Sequence, residues 1–321
     1  MKIVRNIEED GNINTELHSF LTQIKDKPIL YYNDEHQMRH PLSIYNLGQS
    51  RFYSAYLDLL NYINPQTDIS RLTGDLQMFT KTNELIESLI CFIDDIYSIL
   101  KCFYPADATT KKYRFCDLWL ESIDEALIKE FKKNIEFTFA FRTINNEIKH
   151  NHGRLYKISL NAGINGNAFG FFIVKYDDGS LNAFEIVHKR YRGMQTAFSY
   201  NWFLLEILAQ FYFISKYATG TLRKVIMNQH NLDIKPERVI ISDDNIKDVV
   251  KKLDNALSNV LFEDEYEKPI SQIDFTGKEL IIKKPADRAF LKRFKMPHTL
   301  KYEVYHSGDG IMPSFGCPYL E

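Results

Sequence analysis

The chain has 321 residues, of which 45% are hydrophobic and 26% are charged, a composition typical of a globular protein with a core. Its formal net charge of −2 excludes a general electrostatic attraction to nucleic acid or anionic membranes, so phosphate binding would need a local basic patch. The four cysteines form no CxxC pair and show no ligand-like spacing with histidine. This argues against a disulfide scaffold and against a structural zinc site.

The first forty residues are predicted to be an N-terminal extension of mixed character. A helical stretch is predicted near 16–24, and the polar segment 33–41 follows a short apolar run. His36 and His40 lie in this segment beside acidic residues. A metal site is one interpretation, but the missing ligand spacing favours a turn. The N-terminus becomes acidic and polar within ten residues, unlike a signal peptide, and this predicts a cytoplasmic protein.

Two long helices are predicted in the next part of the chain. Apolar residues recur at helical spacing over 42–63, and Asn64-Pro65 is expected to end that helix. The second helix is predicted over about 82–103, with Thr82 at its capped start. Asp94-Asp95 inside it could indicate a paired-carboxylate metal motif. Because no second acidic cluster has matching spacing, a polar stripe of the helix is favoured.

Helices are also predicted at 117–129 and 130–150, after a loop, and Gly153 is expected to end the second of them. Three strand-like runs follow, at 155–162, 169–174 and 181–187. They are separated by glycine-containing turns, which predicts a small antiparallel sheet.

The apolar stretch 197–217 is about as long as a bilayer span. Four polar residues well inside it are costly in lipid: Asn201, Glu206, Gln210 and Lys216. We therefore predict a buried helix of a soluble bundle at about 196–218 and no membrane partner. After it we expect a strand at 238–242, a helix at about 245–261, an acidic loop and a strand pair within 272–283.

Together these elements predict an α+β protein that is mainly a helical bundle. The extension at 1–40 precedes the bundle, which is expected over 41–230 with an antiparallel β-hairpin insertion at about 155–190. A smaller mixed α/β region is expected at 231–321.

The segment Phe141 to Leu155, FRTINNEIKHNHGRL, is the best candidate for chemistry. Arg142, Asn146 and His150 are spaced four apart on the predicted helix, and Asn145 and Lys149 flank the same stripe. Arginine and lysine can hold a phosphate and stabilise developing charge, and histidine can transfer a proton near neutral pH. This set of side chains suits a phosphodiester.

The run NNEIKHN in this segment resembles the signature of the HEPN superfamily (higher eukaryotes and prokaryotes nucleotide-binding). Many members have arginine, a polar residue that is often asparagine, three variable residues and then histidine. Aligned on His150, Asn146 matches the polar position and Asn145 stands where the family has arginine. The resemblance covers roughly residues 45–220, and Arg142 and Arg154 are the candidates to replace the missing charge.

The resemblance implies a helical bundle, commonly homodimeric, in which two motif copies meet to form a metal-independent ribonuclease of the toxin or antiviral-defence type. In that role His150 would be the general acid or base for attack by a ribose 2′-hydroxyl. Arg142 and Lys149 would hold the scissile phosphate, and Asn146 would orient either the phosphate or His150. No metal or cofactor would be required.

Further RNA contacts are predicted beyond the helix. His152 and Arg154 follow it directly, and the cluster HKRYRG adds Lys189, Arg190 and Arg192, in which basic residues alternate with tyrosine. A solvated loop is an equally good interpretation of that cluster.

Three other functions stay open. A non-catalytic HEPN-like module could use the same bundle to dimerise or to bind a protein partner. A nucleotide or small-molecule binder could hold its ligand between the sheet and the long helix. The polar stripe could also be an ordinary helix end, where carbonyls need donors and cations suit the dipole.

Overall fold

The computed structural model describes most of the chain. The described residues are 13–63, 76–151, 153–161, 167–177, 180–235, 244–256, 261–267, 271–276, 279–283, 303–307 and 318–319. Within these ranges the protein is α+β and mainly helical, with a small antiparallel sheet, as predicted.

The first helices form where the apolar spacing predicts them. Helix α1 (Glu16–Ile24) is capped by Thr15, whose hydroxyl accepts the His18 N–H at 3.2 Å, and helix α2 (Pro41–Tyr62) has proline in its first turn. The residues before Pro41 form turns, which agrees with the favoured interpretation of 33–41. The expected stop at Asn64-Pro65 lies outside the described residues.

Helix α3 (Leu76–Lys101) begins six residues before the predicted start at 82. Thr82 is not its cap. The Thr82 hydroxyl donates to the Met78 carbonyl at 2.8 Å within the helix and lies 2.9 Å from the Tyr200 hydroxyl. Thr82, which the sequence suggested as a helix cap, therefore makes a buried contact with a distant part of the chain instead.

The predicted helices 117–129 and 130–150 are divided differently in the structure. The actual elements are α4 (Cys116–Ile123), α5 (Glu125–Asn134), a short 3-10 turn and α6 (Phe139–His150). Asp124 makes the first break because its carboxylate accepts the Leu127 N–H at 3.3 Å and caps α5. The same carboxylate accepts the Tyr104 hydroxyl at 3.2 Å.

Among the described residues, six strands lie between α6 and the next helix. They are β1 (Arg154–Asn161), β2 (Asn167–Asp177), β3 (Ser180–Ala183), β4 (Arg190–Tyr191), β5 (Met194–Gln195) and β6 (Phe198–Ser199). β2 lies between β1 and β3 and also pairs with β6, always antiparallel, while β4 and β5 form a separate small hairpin. The predicted antiparallel sheet is thus confirmed.

Helix α7 (Tyr200–His230) runs through the core and continues past the predicted end at 218. Ser199 caps it by accepting the Trp202 N–H at 3.1 Å. Its Phe211 ring stacks on Phe52 of α2 and Phe92 of α3, with centroids 4.4 and 4.2 Å apart. Among the described helices, none combines the length and the apolar character needed to cross a membrane.

The C-terminal region contributes α8 (Asp244–Ala256), a 3-10 helix (Glu263–Glu267) and the strands β7 (Gln272–Thr276), β8 (Glu279–Lys283) and β9 (Glu303–Ser307). β7 and β8 pair as predicted, and the strand predicted at 238–242 lies outside the described residues. The predicted acidic loop instead contains this 3-10 helix, and its Asp264 and Glu265 are buried. β9, which the sequence did not predict, pairs with β1 and extends the sheet.

Both faces of the sheet are covered. Alternate residues of β1 and β2, including Leu155 and Phe171, belong to the core that also holds the helices. The opposite face, including Phe172, packs with Phe262 and Tyr319 in a second cluster. The Tyr319 hydroxyl donates to Asp264 at 2.6 Å and accepts the Ala197 N–H at 3.0 Å, so the C-terminal region is held against the sheet.

Candidate functional site

The end of α6 is fixed by backbone hydrogen bonds. The N–H groups of Asn151 and Gly153 both donate to the Glu147 carbonyl at 3.0 Å. A Cβ atom at Gly153 would lie 2.8 Å from Glu147 Cγ, so the close approach suits glycine. The predicted stop is therefore confirmed, and it places His150 on the last turn of the helix.

The exposed side of α6 has two polar side chains that contact no partner among the described residues. Asn146 and His150 lie one turn apart and are exposed, and neither makes a side-chain hydrogen bond or ion pair with a described residue. Both groups are thus accessible to a ligand. The opposite side of α6 is apolar and buried, with Phe141 and Ile144 in the core.

Two cations of α6 lie over an acidic stripe of α3. Arg142 Nη2 is 4.0 Å from Asp94 Oδ1, and Lys149 Nζ is 2.6 Å from Glu87 Oε1. Glu87, Cys91 and Asp94 are spaced four and three apart, which puts them on one face of α3. The polar stripe of α3 that includes Asp94 therefore faces α6 and pairs with its cations.

A third ion pair continues this surface to α2. Arg51 Nη1 lies 3.6 Å from Asp95 Oδ2. The carboxylate packs against the α2 backbone at Gly48, where a Cβ atom would be only 2.5 Å from Asp95 Oδ2. Burial raises the pKa of Asp95 to about 6, although the Arg51 charge opposes this rise.

The stability of the fold should depend on pH through Asp95. Because its pKa is higher in the folded chain than the ordinary 3.8, the folded state binds the proton more tightly. The free energy of unfolding should fall by about 2 kcal/mol as the pH rises from about 4 to about 6, and it should level off above about pH 6. Urea unfolding of wild type and Asp95→Asn at pH 4, 5, 6 and 7 measures this slope.

Asp58→Asn is the matched control, since it removes an exposed carboxylate from α2. Its stability profile should follow that of the wild type, whereas Asp95→Asn should be flatter between pH 4 and 6. Equal slopes in wild type and Asp95→Asn would contradict the assignment.

Asn145 and Arg142 differ in their exposure to solvent. Asn145 is only 9% exposed, whereas Arg142 is partly exposed and reaches Asp94. Arg142 and His150 are eight residues apart, or roughly 12 Å along the helix axis. Within one copy, Lys149 is therefore the cation adjacent to His150, and Arg142 lies two turns away.

The remaining predicted contacts lie elsewhere. Arg154 is exposed at the start of β1 and has no ion pair with a described residue, and His152 falls outside the described residues.

In the β4–β5 hairpin, Lys189 is exposed, Arg190 Nη2 is 3.3 Å from Glu185 and Arg192 Nη2 is 2.7 Å from Glu263. No ion pair or hydrogen bond between described residues joins these three to α6.

Sequence reasoning missed the acidic partners on α3. The Asp94-Asp95 doublet draws attention to Asp94, but no such local signal marks Glu87, which lies two turns earlier on the same face. Its spacing of seven from Asp94 was the available signal. Within the described part of the chain, no group of three or more His, Cys, Asp or Glu residues could hold a metal ion.

Comparison with known proteins gave no matching family model, no matching curated protein and no matching solved structure. The HEPN resemblance thus stays a prediction that depends on the residues of α6.

Proposed function

We propose that the protein is an HEPN-like, RNA-directed endoribonuclease that acts without a metal, and that it works in the cytoplasm as a toxin or in antiviral defence. The observation that carries this proposal is the pair of exposed, unpartnered side chains at the end of α6, Asn146 and His150. Lys149, next to the histidine, supplies the positive charge that a phosphodiester needs.

The chemistry follows from these groups. His150 removes the proton of a ribose 2′-hydroxyl, whose oxygen then attacks the adjacent phosphorus atom. A bond from the 2′-oxygen to phosphorus forms while the bond from phosphorus to the 5′-oxygen breaks, and a proton must reach that leaving oxygen. One copy offers a single exposed histidine on α6, so His150 of a second copy delivers this proton, and the active form is a homodimer.

The ion pairs of Lys149 and Arg142 permit phosphate binding. The side chains in the Lys149–Glu87 pair are 40% and 46% exposed, and those in the Arg142–Asp94 pair are 41% and 69% exposed. Ion pairs at such exposed positions contribute only about 0–1 kcal/mol, so a phosphate can displace the carboxylates at little cost.

The test is an RNA-cleavage assay in EDTA with labelled structured and single-stranded RNA. Wild type should cleave, and His150→Ala should be slower by a factor of about 100 or more, the usual contribution of a general acid or base. His230→Ala is the matched control, because His230 is also the last residue of a helix. It should cleave like wild type, and all three proteins should show the same circular dichroism spectrum.

A second candidate function is a non-catalytic dimerisation or partner-binding module. The observation in its favour is that Arg142 and Lys149 both form ion pairs with carboxylates of α3. These two cations therefore join helices of the same chain, which is a structural role that needs no RNA. If folded wild type cleaves no RNA, or if His150→Ala cleaves as fast as wild type, the ribonuclease proposal fails. Sedimentation of wild type would then test for the dimer directly.

A further inference from the structure

The segment before α4 has an exposed arrangement of basic and aromatic side chains. Lys112, Tyr113, Arg114 and Phe115 are consecutive, and all four side chains are exposed. Tyr113 is 38% and Phe115 is 56% exposed, which is unusual for large rings in a chain that buries most of its aromatics. The Arg114 guanidinium carbon lies 5.3 Å from the Phe115 ring centroid and packs over the ring.

The charges of this segment are not neutralised. Neither Lys112 nor Arg114 forms an ion pair with a described carboxylate. Two acids of the adjoining helix α4, Asp117 and Glu121, are already paired with Lys132 at 2.8 and 3.0 Å. The segment therefore presents two unpaired positive charges beside two exposed rings.

The residues that flank the segment are buried or hydrogen-bonded. Trp119 of α4 is fully buried, and its indole N–H donates to Asp107 at 3.4 Å. Asp107 also accepts hydrogen bonds from Thr109 and Thr110, which fixes the preceding loop. These hydrogen bonds join the residues on both sides of the segment to each other, which limits the backbone freedom that a ligand binding here would have to remove.

The segment is also continuous with the site on α6. Cys116 Sγ lies 3.8 Å from Ser98 Oγ on α3. Ser98 is one helical turn, roughly 6 Å, beyond Asp94, which contacts Arg142. The aromatic segment and the polar stripe of α6 thus border the same outer face of α3.

We propose that residues 112–115 form a platform that binds single-stranded RNA. Bases stack on Tyr113 and Phe115, and Lys112 and Arg114 contact the phosphates. Bases of a duplex are stacked on one another and cannot use such rings, so single strands are the substrate class. Tyrosine, phenylalanine and arginine are also enriched at protein interfaces, so a protein interface is the alternative outcome that the test distinguishes. The two positive charges without a described acidic partner, together with the depletion of lysine at protein interfaces, favour RNA. This proposal deepens the proposed function and depends on it for the role of the bound RNA.

The test measures binding of the full chain to a fluorescently labelled single-stranded 12-mer RNA and to the matching duplex, by anisotropy in EDTA. To prevent cleavage, all proteins carry His150→Ala. The double variant Tyr113→Ser/Phe115→Ser should bind the single strand at least about tenfold more weakly, as loss of base stacking predicts. Ile29→Ser/Ile186→Ser is the matched control, since those side chains are 75% and 65% exposed, and its affinity should be unchanged.

The cations have their own expected result. Lys112→Gln/Arg114→Gln should lower the dependence of log affinity on log salt by about 0.7 for each lost phosphate contact. Equal single-strand affinity of the aromatic variant and its control would overturn the platform, as would a failure of the His150→Ala protein to bind the single strand. Loss of dimerisation with unchanged RNA binding would also overturn it and would assign the surface to a protein interface.

Failure of the platform and failure of the ribonuclease are distinguishable. If wild type does not cleave RNA but single-strand binding depends on Tyr113 and Phe115, the platform stands and the catalytic proposal fails. If wild type cleaves, and Tyr113→Ser/Phe115→Ser cleaves equally well with His150 in place and binds equally well in the His150→Ala background, only the platform fails.

Discussion

Phe211→Ala is expected to lower the free energy of unfolding by about 4 kcal/mol, the usual cost of removing a buried phenylalanine. Phe211 has no solvent exposure and its ring stacks between Phe52 and Phe92. These three rings join α7 to α2 and α3, so loss of the Phe211 ring leaves a cavity at the junction of three helices and removes two aromatic contacts. Urea unfolding should show a lower midpoint with an unchanged slope.

The control for this prediction is Met227→Ala, on the same helix. Met227 is 46% exposed, so its replacement should change stability by no more than about 0.5 kcal/mol. If Phe211→Ala lowered the free energy of unfolding by less than about 1 kcal/mol, the stacked rings would not be what holds α7 against α2 and α3. The result also bears on the site, because α3 holds Glu87 and Asp94 against α6.

The helices with strong local signals could be predicted from sequence. The helix at 16–24 matches α1 and the helix at 42–63 matches α2 to within a residue, because apolar spacing and caps act locally. The start of α3 could not be predicted, since Thr82 resembles a cap and its buried partner, Tyr200, is far away in sequence. The strand β9 was missed because its pairing with β1 is a long-range contact.

In the candidate site, too, local features could be predicted from the sequence and long-range contacts could not. The residues of α6 could be identified because they share one helix and therefore one spacing. Their partners Glu87 and Asp94 could not, because the sequence does not say which face of α3 packs against α6. The acidic segment near Glu265 was misread for a related reason. Acidic runs are usually exposed to solvent. Only the fold shows that the Glu265 carboxylate accepts hydrogen bonds from two buried N–H groups.

Glu265→Ala is expected to destabilise the fold by about 3–5 kcal/mol, the cost of leaving buried donors unpaired together with a cavity. Glu265 is fully buried. One carboxylate oxygen accepts the Ser199 N–H at 2.8 Å and the other accepts the Phe262 N–H at 2.9 Å. Ser199 is the cap of α7, so the negative charge also lies at the positive end of the longest helix.

Two variants separate this role from a general effect of charge. Glu265→Gln keeps the shape but retains only one acceptor oxygen, so it should lose about half as much stability as alanine. Glu267→Ala removes an exposed carboxylate from the same 3-10 helix and should change stability by no more than about 0.5 kcal/mol. Hydrogen exchange at both the Ser199 and the Phe262 amides should speed up in Glu265→Ala and should stay at the wild-type rate in Glu267→Ala. Equal losses for Glu265→Ala and Glu267→Ala would show that the C-terminal region does not fix the start of α7 through this carboxylate.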